Sequence, residues 1–151
     1  TKGTYRFPTI CGHEFAGTVT SVGPGVARFR EGDRVVAANS APCASCPSCL
    51  AGRPNLCEDL LFVNGAYGEF IVLPPRLVAR NVVPLAPSVP AERAAFAEPL
   101  ACALLAIERA RVEAGQTVAV FGHGPLGCLL GMLAASRRAL VPERAAAARS
   151  R

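Results

Sequence analysis

Cys43, Cys46, Cys49 and Cys57 form a C-x2-C-x2-C-x7-C run inside a Pro-, Ser- and Gly-rich stretch, APCASCPSCLAGRPNLC. Four thiolates within fifteen residues can close a tetrahedron around one Zn2+ and leave no open position, the arrangement of a structural rather than a catalytic zinc. Such a site staples a lobe together without doing chemistry. Function has to come from the segments on either side, GHEFAGTV at 12–19 and FGHGPLG at 121–127.

The chain has seven cysteines, so three remain after the cluster: Cys11, Cys102 and Cys128, scattered in apolar or Gly-rich settings. Each is expected to be a small buried apolar residue. An odd count with tight C-x2-C spacing and no signal-peptide pattern argues against a disulfide framework and for metal binding in a reducing compartment, which predicts a cytoplasmic protein. No apolar run approaches the ~18 residues needed to span a bilayer, so no membrane association is expected. The chain begins at Thr1 rather than Met, which suggests a missing N-terminal portion.

At 151 residues and 51% apolar, one ordinary domain is expected, or one small domain and a piece of another. The net charge of +5 resembles a nucleic-acid signal. However, 11 basic and 10 acidic residues lie up to position 136, against 5 and 1 from 137 to 151. The excess sits in a short tail, and no basic stripe interleaves with aromatics, so no nucleic-acid partner is expected.

The first eighty residues read as β-structure with little helix. GTVTSVGPGV, DRVVAAN and GEFIVLP are short β-branched runs bounded by Gly and Pro, as in a small, strongly bent sheet or partial barrel. From Pro90, PAERAAFAEPLACALLAIERARV reads as one or two helices broken by Pro99. After a turn at 113–115, TVAVF suits a buried strand, GHGPLG a glycine turn and CLLGMLAAS an apolar helix.

Strand, glycine turn and helix in that order open a dinucleotide-binding βαβ unit, in which the glycines let the backbone approach a pyrophosphate at the helix N-terminus. Gly122, Gly124 and Gly127 fit G-x-G-x-x-G, and with Leu126 they are the candidate cofactor-binding residues. The motif alone is weak. A second strand ending in an acidic residue ~20 positions on should follow. Here ALVPER is a poor strand interrupted by Pro142, although Glu143 lies near the expected distance. Taken by itself, the motif is equally well a Gly-rich turn.

In combination these segments resemble the zinc-dependent medium-chain alcohol and polyol dehydrogenases. GHEFAGTVTSVGPGV matches that family's zinc signature, Gly-His-Glu followed at fixed spacings by Gly17, Gly23 and Val26. The cysteine run matches its structural-zinc lobe. GDRV at 32–35, GAYGEFIVLP, AEPLACAL at 97–104 and the glycine turn follow in the family's order. The resemblance covers nearly all of residues 4–138.

The resemblance implies a mainly β GroES-like catalytic domain at residues 1–108, followed at 109–151 by the first βα unit of an α/β Rossmann domain, with the active site in the cleft between them. It implies that His13 is the histidine ligand of a catalytic zinc. Glu14 is implied as a direct ligand, as in polyol-type members, or as a nearby residue, as in others. Glu98 stands where many alcohol dehydrogenases have a cysteine ligand and sorbitol- and threonine-type enzymes a glutamate, which leans the substrate toward an alcohol or polyol. NAD or NADP is the implied cofactor. Residue by residue, blander readings stand beside these: His13 as a hydrogen-bonded core histidine, Glu14 as a cap or an arginine partner, Glu98 as a helix-boundary residue.

A catalytic zinc keeps one position open and lowers the pKa of a substrate hydroxyl as a Lewis acid. Imidazole and carboxylate ligands leave more positive charge on the metal than thiolates do, which suits His13, Glu14 and Glu98 to that role and the four cysteines to a structural one.

Departures from the family pattern matter as well. The cysteine ligand expected before Gly-His-Glu has no counterpart in the chain, and only one βα step of the Rossmann sheet is present. The chain is therefore expected to be an internal fragment with little dehydrogenase activity of its own and an exposed apolar face on CLLGMLAAS. A homo-oligomer is expected only of the full-length protein. Two other readings compete. A zinc knuckle used for macromolecular contact would carry basic and aromatic residues among its ligands, whereas only Arg53 is found there. A zinc-free quinone-reductase-like enzyme would not need the intact cysteine set.

Overall fold

The structure, a computed structural model, describes residues 9–141. The chain parts into two compact units between Glu98 and Pro99, and each is described by itself.

In the first unit, β1 (Phe15–Thr18), β2 (Arg34–Ala37) and β5 (Val82–Pro84) form an antiparallel sheet in the order β1-β2-β5. Phe15 stands opposite Ala37, and Val36 opposite Val83. One face of β2 is covered, so Val35 and Ala37 join Phe29 and Val82 in a core, with Phe15, Val19, Val26, Leu73 and Val78 packed around it. A second, two-stranded sheet pairs β3 (Ser40–Ala41) with β4 (Leu61–Phe62). Its core is Ala41, Val63 and Leu77, and Leu77 is completely buried.

Leu77 belongs to α2 (Pro75–Asn81), which starts with proline at its first position, where the missing N–H costs nothing. This helix lies in a region read from sequence as nearly helix-free. The run GEFIVLP just before it was expected to be a strand and is not one. Its alternation is real, since Ile71 and Leu73 pack inward while Phe70 and Val72 are exposed. Side-chain alternation does not make a strand without a neighbouring backbone to pair with, and this segment pairs with none among the described residues. Likewise only the start of GTVTSVGPGV is strand, the chain turning at residues 24–25.

Arg34 holds the loop after β5. Its guanidinium donates to the carbonyls of Ala86 (3.3 Å), Pro87 (3.0 Å) and Val89 (2.8 Å). Asn81 donates through its amide to the Ser40 carbonyl, while Ala38 N–H donates to the Asn81 carbonyl (3.2 Å). These bonds tie the end of α2 to the β2–β3 corner.

Two helices occupy the stretch after Pro90, α3 (Ala91–Ala94) and α4 (Ala97–Arg109). The break falls at 95–96 rather than at Pro99. Pro99 sits in the first turn of α4, where backbone N–H groups have no intrahelical acceptor and a proline is tolerated.

The second unit contains most of α4 and all of α5 (Pro125–Ser136). Ile107, Val112, Ala134 and Ala139 form its core, with Val118, Leu130, Leu133 and Val141 against it. Both helices end in the same way. Val112 N–H donates to Ile107 O (3.2 Å) and Arg111 N–H to Glu108 O (3.0 Å); Ala139 N–H donates to Ala134 O (3.1 Å) and Arg138 N–H to Ala135 O (2.9 Å). These are Schellman motifs, with Arg111 (φ 51°) and Arg138 (φ 59°) in the left-handed position usually taken by glycine.

The expected buried strand TVAVF is reduced to one parallel bridge, Thr117 to Leu140, flanked by Leu140 N–H to Gln116 O and Val118 N–H to Leu140 O, both 2.8 Å. Among the described residues a single segment pairs with it, and Phe121 is 92% exposed. The connection between the bridged segments passes through α5, as a parallel crossover requires. On α5 only Ala134 is buried, and Leu126 and Met132 are exposed, as the apolar pattern of CLLGMLAAS implies. Glu143 and most of the Arg/Ala-rich tail lie outside the described residues. No helix among those described is long and apolar enough to cross a membrane.

Candidate metal centres

The cysteine lobe leaves β3 and returns to β4, and it has almost nothing apolar inside. Its elements, α1 (Pro47–Leu50) and a 3-10 turn at Pro54–Leu56, bury no residue. What converges instead is sulfur. The Sγ atoms of Cys43, Cys46, Cys49 and Cys57 all lie within 4.8 Å of one another, with Cys43–Cys49 and Cys46–Cys57 each at 4.0 Å. Tetrahedral Zn–S bonds of about 2.3 Å need sulfurs about 3.8 Å apart. The site therefore fits the ion with little movement.

Backbone geometry prepares it. Ala44 takes a left-handed φ of 65°, uncommon for a residue with a Cβ. The N–H groups of Ser45 (3.5 Å) and Cys46 (3.3 Å) both donate to Cys43 Sγ, and Cys43 N–H donates to Cys57 Sγ (3.2 Å). With the Ser45 hydroxyl also directed at it, the Cys43 thiol is drawn down to about 6, the Ser45 N–H contributing most. The Cys46 thiol is lowered too, first by the backbone N–H of Glu58 and then by that of Cys49. Burial, with Cys46 adding to it, pushes Cys49 up to about 12. The set thus combines a thiol drawn toward its thiolate with one that holds its proton, which a bound cation would displace to solvent.

The other cluster is built from parts distant in sequence. Gly12 has φ +91°, and its carbonyl accepts from Gly65 N–H (3.0 Å) and Ala66 N–H (3.2 Å), while Tyr67 N–H donates to Cys11 O (3.0 Å). A Cβ at Gly12 would stand 2.8 Å from Tyr67 Cδ1. Only glycine allows the two loops this approach. The result fixes His13 and Glu14 just before β1. Glu98 enters at the second residue of α4. One donor atom each from His13, Glu14 and Glu98 lie within 4.8 Å of one another, His13 and Glu14 exposed and Glu98 half-buried. Zinc bonds of about 2.1 Å to nitrogen and oxygen set donors roughly 3.4 Å apart. Exposed side chains can close that difference by rotamer changes.

In the second unit, Gly122 has φ +103°, and Gly124 caps α5 with Pro125 as its first residue. Any Cβ on Gly127 would run into the Gly122 carbonyl. The third glycine of the motif is thus needed for the helix to close on its turn. Leu126 is exposed on the first turn of α5. A groove of about 300 Å3 beside the turn is lined by Val120, His123, Gly127, Cys128 and Met132 among others.

Several sequence expectations need correction here. Cys11, Cys102 and Cys128 are exposed, not buried; Cys11 lies in the loop before β1, and the faces of α4 and α5 that pack inward present Ala103, Ile107 and Ala134 instead of Cys102 and Cys128. Asp59, two residues past the last cysteine, pairs with Arg76 at 2.6 Å. Arg76, Tyr67 and Ala44 carried no sequence signal as parts of these sites. The proximity of Gly12 to the 65–68 turn offered the best chance, since each contributes a glycine at positive φ.

A closed four-sulfur group on a small antiparallel unit and, apart from it, an open histidine–carboxylate cluster give two sets of side chains that could each hold a metal ion. Residues 1–85 match the alcohol dehydrogenase GroES-like domain family, and the chain belongs to that family of zinc-dependent alcohol and polyol dehydrogenases. It is 40% identical to D-altritol 5-dehydrogenase of Agrobacterium fabrum over 89% of its own length and 41% of that protein's. Galactitol-1-phosphate dehydrogenase from Escherichia coli superposes with a TM-score of 0.79 at 33% identity, over 91% of this chain and 40% of that one. The cobalt- and zinc-bound thermostable alcohol dehydrogenase from Pyrobaculum aerophilum does so with 0.77 at 32%, over 90% and 42%. The chain thus spans about two fifths of the length of these relatives.

Proposed function

We propose that this chain carries the metal-holding part of a dehydrogenase that oxidises an alcohol or polyol with NAD or NADP. Its catalytic metal would be held by His13, Glu14 and Glu98, and a structural zinc by Cys43, Cys46, Cys49 and Cys57. The observation that carries the reading is the meeting of His13 and Glu14 with Glu98, 84 residues further on, while the thiolates gather elsewhere as a closed set.

Each donor type fits its task. Three protein ligands leave a tetrahedral position for substrate, and when bound there zinc supplies Lewis acidity toward a hydroxyl. The imidazole of His13 binds as a neutral ligand, and the carboxylates of Glu14 and Glu98 bring the negative charge that keeps a dication in an exposed site. Gly12 holds His13 and Glu14 in register. Overall, the carbinol carbon gives a hydride to the nicotinamide and its hydroxyl loses a proton, yielding a carbonyl compound and the reduced cofactor.

In the second unit, the turn at Gly122–Gly127 is proposed as the Rossmann-type phosphate contact, with Gly122, Gly124, Leu126 and Gly127 nearest the cofactor. Beside that turn the described residues supply one helix and one bridge of parallel sheet. A coupled assay of this polypeptide at saturating polyol and NAD should therefore show little or no turnover, and robust turnover would overturn that expectation.

The direct test is metal per chain by elemental analysis and native mass spectrometry. Two bound metals are expected, with one lost in Cys46→Ser and the other in His13→Ala. Loss of both in either variant, or no metal in the parent, would sink the two-centre reading.

A further inference from the structure

Arg76 stands second in α2, at the positive end of the helix dipole, where a cation is disfavoured. Something must offset that placement. Its guanidinium reaches Asp59 at 2.6 Å, two residues beyond Cys57, and the arginine side chain is only 29% exposed while the aspartate is 75% exposed. The next residue, Leu77, is completely buried. The backbone of Arg76 is thus pinned to the core of the first unit, and its side chain extends to the lobe that has no core.

Charge points the same way. Four thiolates on one Zn2+ carry a net charge of −2, and Glu58 and Asp59 add to it at the exit of the lobe, against Arg53 within it. The Arg76 guanidinium is stabilised in the charged form, first by its hydrogen bond to Asp59 and then by the charges of Asp59, Cys43 and Cys57. Among the described residues the Arg76–Asp59 pair links the lobe to the body of the unit by an ion pair, the other pairs being Arg30–Asp33 and Arg137–Glu108.

We propose that Arg76 is a positioning residue for the structural zinc: through Asp59 it latches the cysteine lobe to α2 and so slows loss of the metal. The inference rests on the structural-zinc reading above. Groups that hydrogen-bond or counter the charge of metal ligands commonly change metal affinity by about 10–100-fold when removed. Because the pair is largely exposed, salt should weaken it.

The test is the rate of zinc release from the purified chain to an excess of colorimetric chelator, measured with His13→Ala as background so that only the thiolate site reports. Arg76→Met is expected to release zinc about ten-fold faster, and Arg76→Lys, which keeps the charge without the forked geometry, to fall between it and the parent. High salt should accelerate the parent toward the Arg76→Met rate and leave Arg76→Met nearly unchanged. The salt dependence of the parent by itself is read without any change at Arg76. Equal rates for the parent and Arg76→Met, or a salt-insensitive parent, would overturn the latch while leaving the zinc site standing. A parent without zinc would overturn the zinc reading itself.

Discussion

The backbone N–H of Cys43 donates to the Sγ of Cys57 at 3.2 Å, joining the first and last cysteines of the run. The lobe is closed at its neck by a bond to one of the four clustered sulfurs. Everything between those residues depends on the sulfur cluster, because neither α1 nor the 3-10 turn buries a side chain.

Stripping zinc with a strong chelator should therefore unfold the lobe and spare the sheet. Structural zinc contributes on the order of 10 kcal/mol to the folding of small modules, more than a coreless lobe can replace. Hydrogen exchange checks this: amides of residues 43–57 should lose protection while Val35, Val36 and Val83 keep theirs. Uniform loss across β2 and β5 would show that the metal holds the whole unit.

The two arginines in left-handed positions predict stabilisation by glycine. Arg111 and Arg138 each carry a Cβ where φ is 51° and 59°, a conformation costing roughly 1 kcal/mol for an L-residue other than glycine. Arg111→Gly and Arg138→Gly should each raise stability by about 0.5–1 kcal/mol, read from the urea midpoint. The Schellman bonds are backbone only, so nothing else is lost.

Gly127→Ala should act in the opposite sense. Its methyl would meet the Gly122 carbonyl, and relief requires moving either α5 or the turn. Overpacking of this kind costs about 1–3 kcal/mol. Urea denaturation measures it, and Gly124→Ala serves as the control, since nothing lies within 4 Å of a Cβ there.

Arg34→Met should free the loop after β5. Three carbonyls lose a charged donor, and hydrogen bonds to charged groups contribute about 1.5–3 kcal/mol each at most, less where water can substitute. A net loss of about 2 kcal/mol is expected, with faster proteolysis at 85–90 and partial recovery in Arg34→Lys.

The candidate sites were more legible in the sequence than the fold. Cysteine spacing carries its own geometry, and the sulfurs of Cys43, Cys46, Cys49 and Cys57 indeed converge. The approach of Glu98 to His13 came from family resemblance, since nothing local to AEPLAC announces a partner 85 residues away. Strands were legible where a partner backbone exists, as in Arg34–Ala37, and misread where only side-chain alternation does, as in GEFIVLP. Helix α2 escaped notice because the prolines at 74 and 75 look like breakers, yet they stand at its cap and first turn. The Arg76–Asp59 pair was invisible, as contacts between distant surface charges leave no periodic trace.

The two metal centres differ in how much chain each must wait for. The thiolate lobe closes over fifteen consecutive residues, whereas the histidine–carboxylate cluster needs His13 to meet Glu98. Loop closure over a short segment is quick and entropically mild. During synthesis at about 5–20 residues per second, the lobe has all its sulfurs seconds before Glu98 emerges, so on the two-site proposal the nascent lobe would be the first to be able to hold zinc.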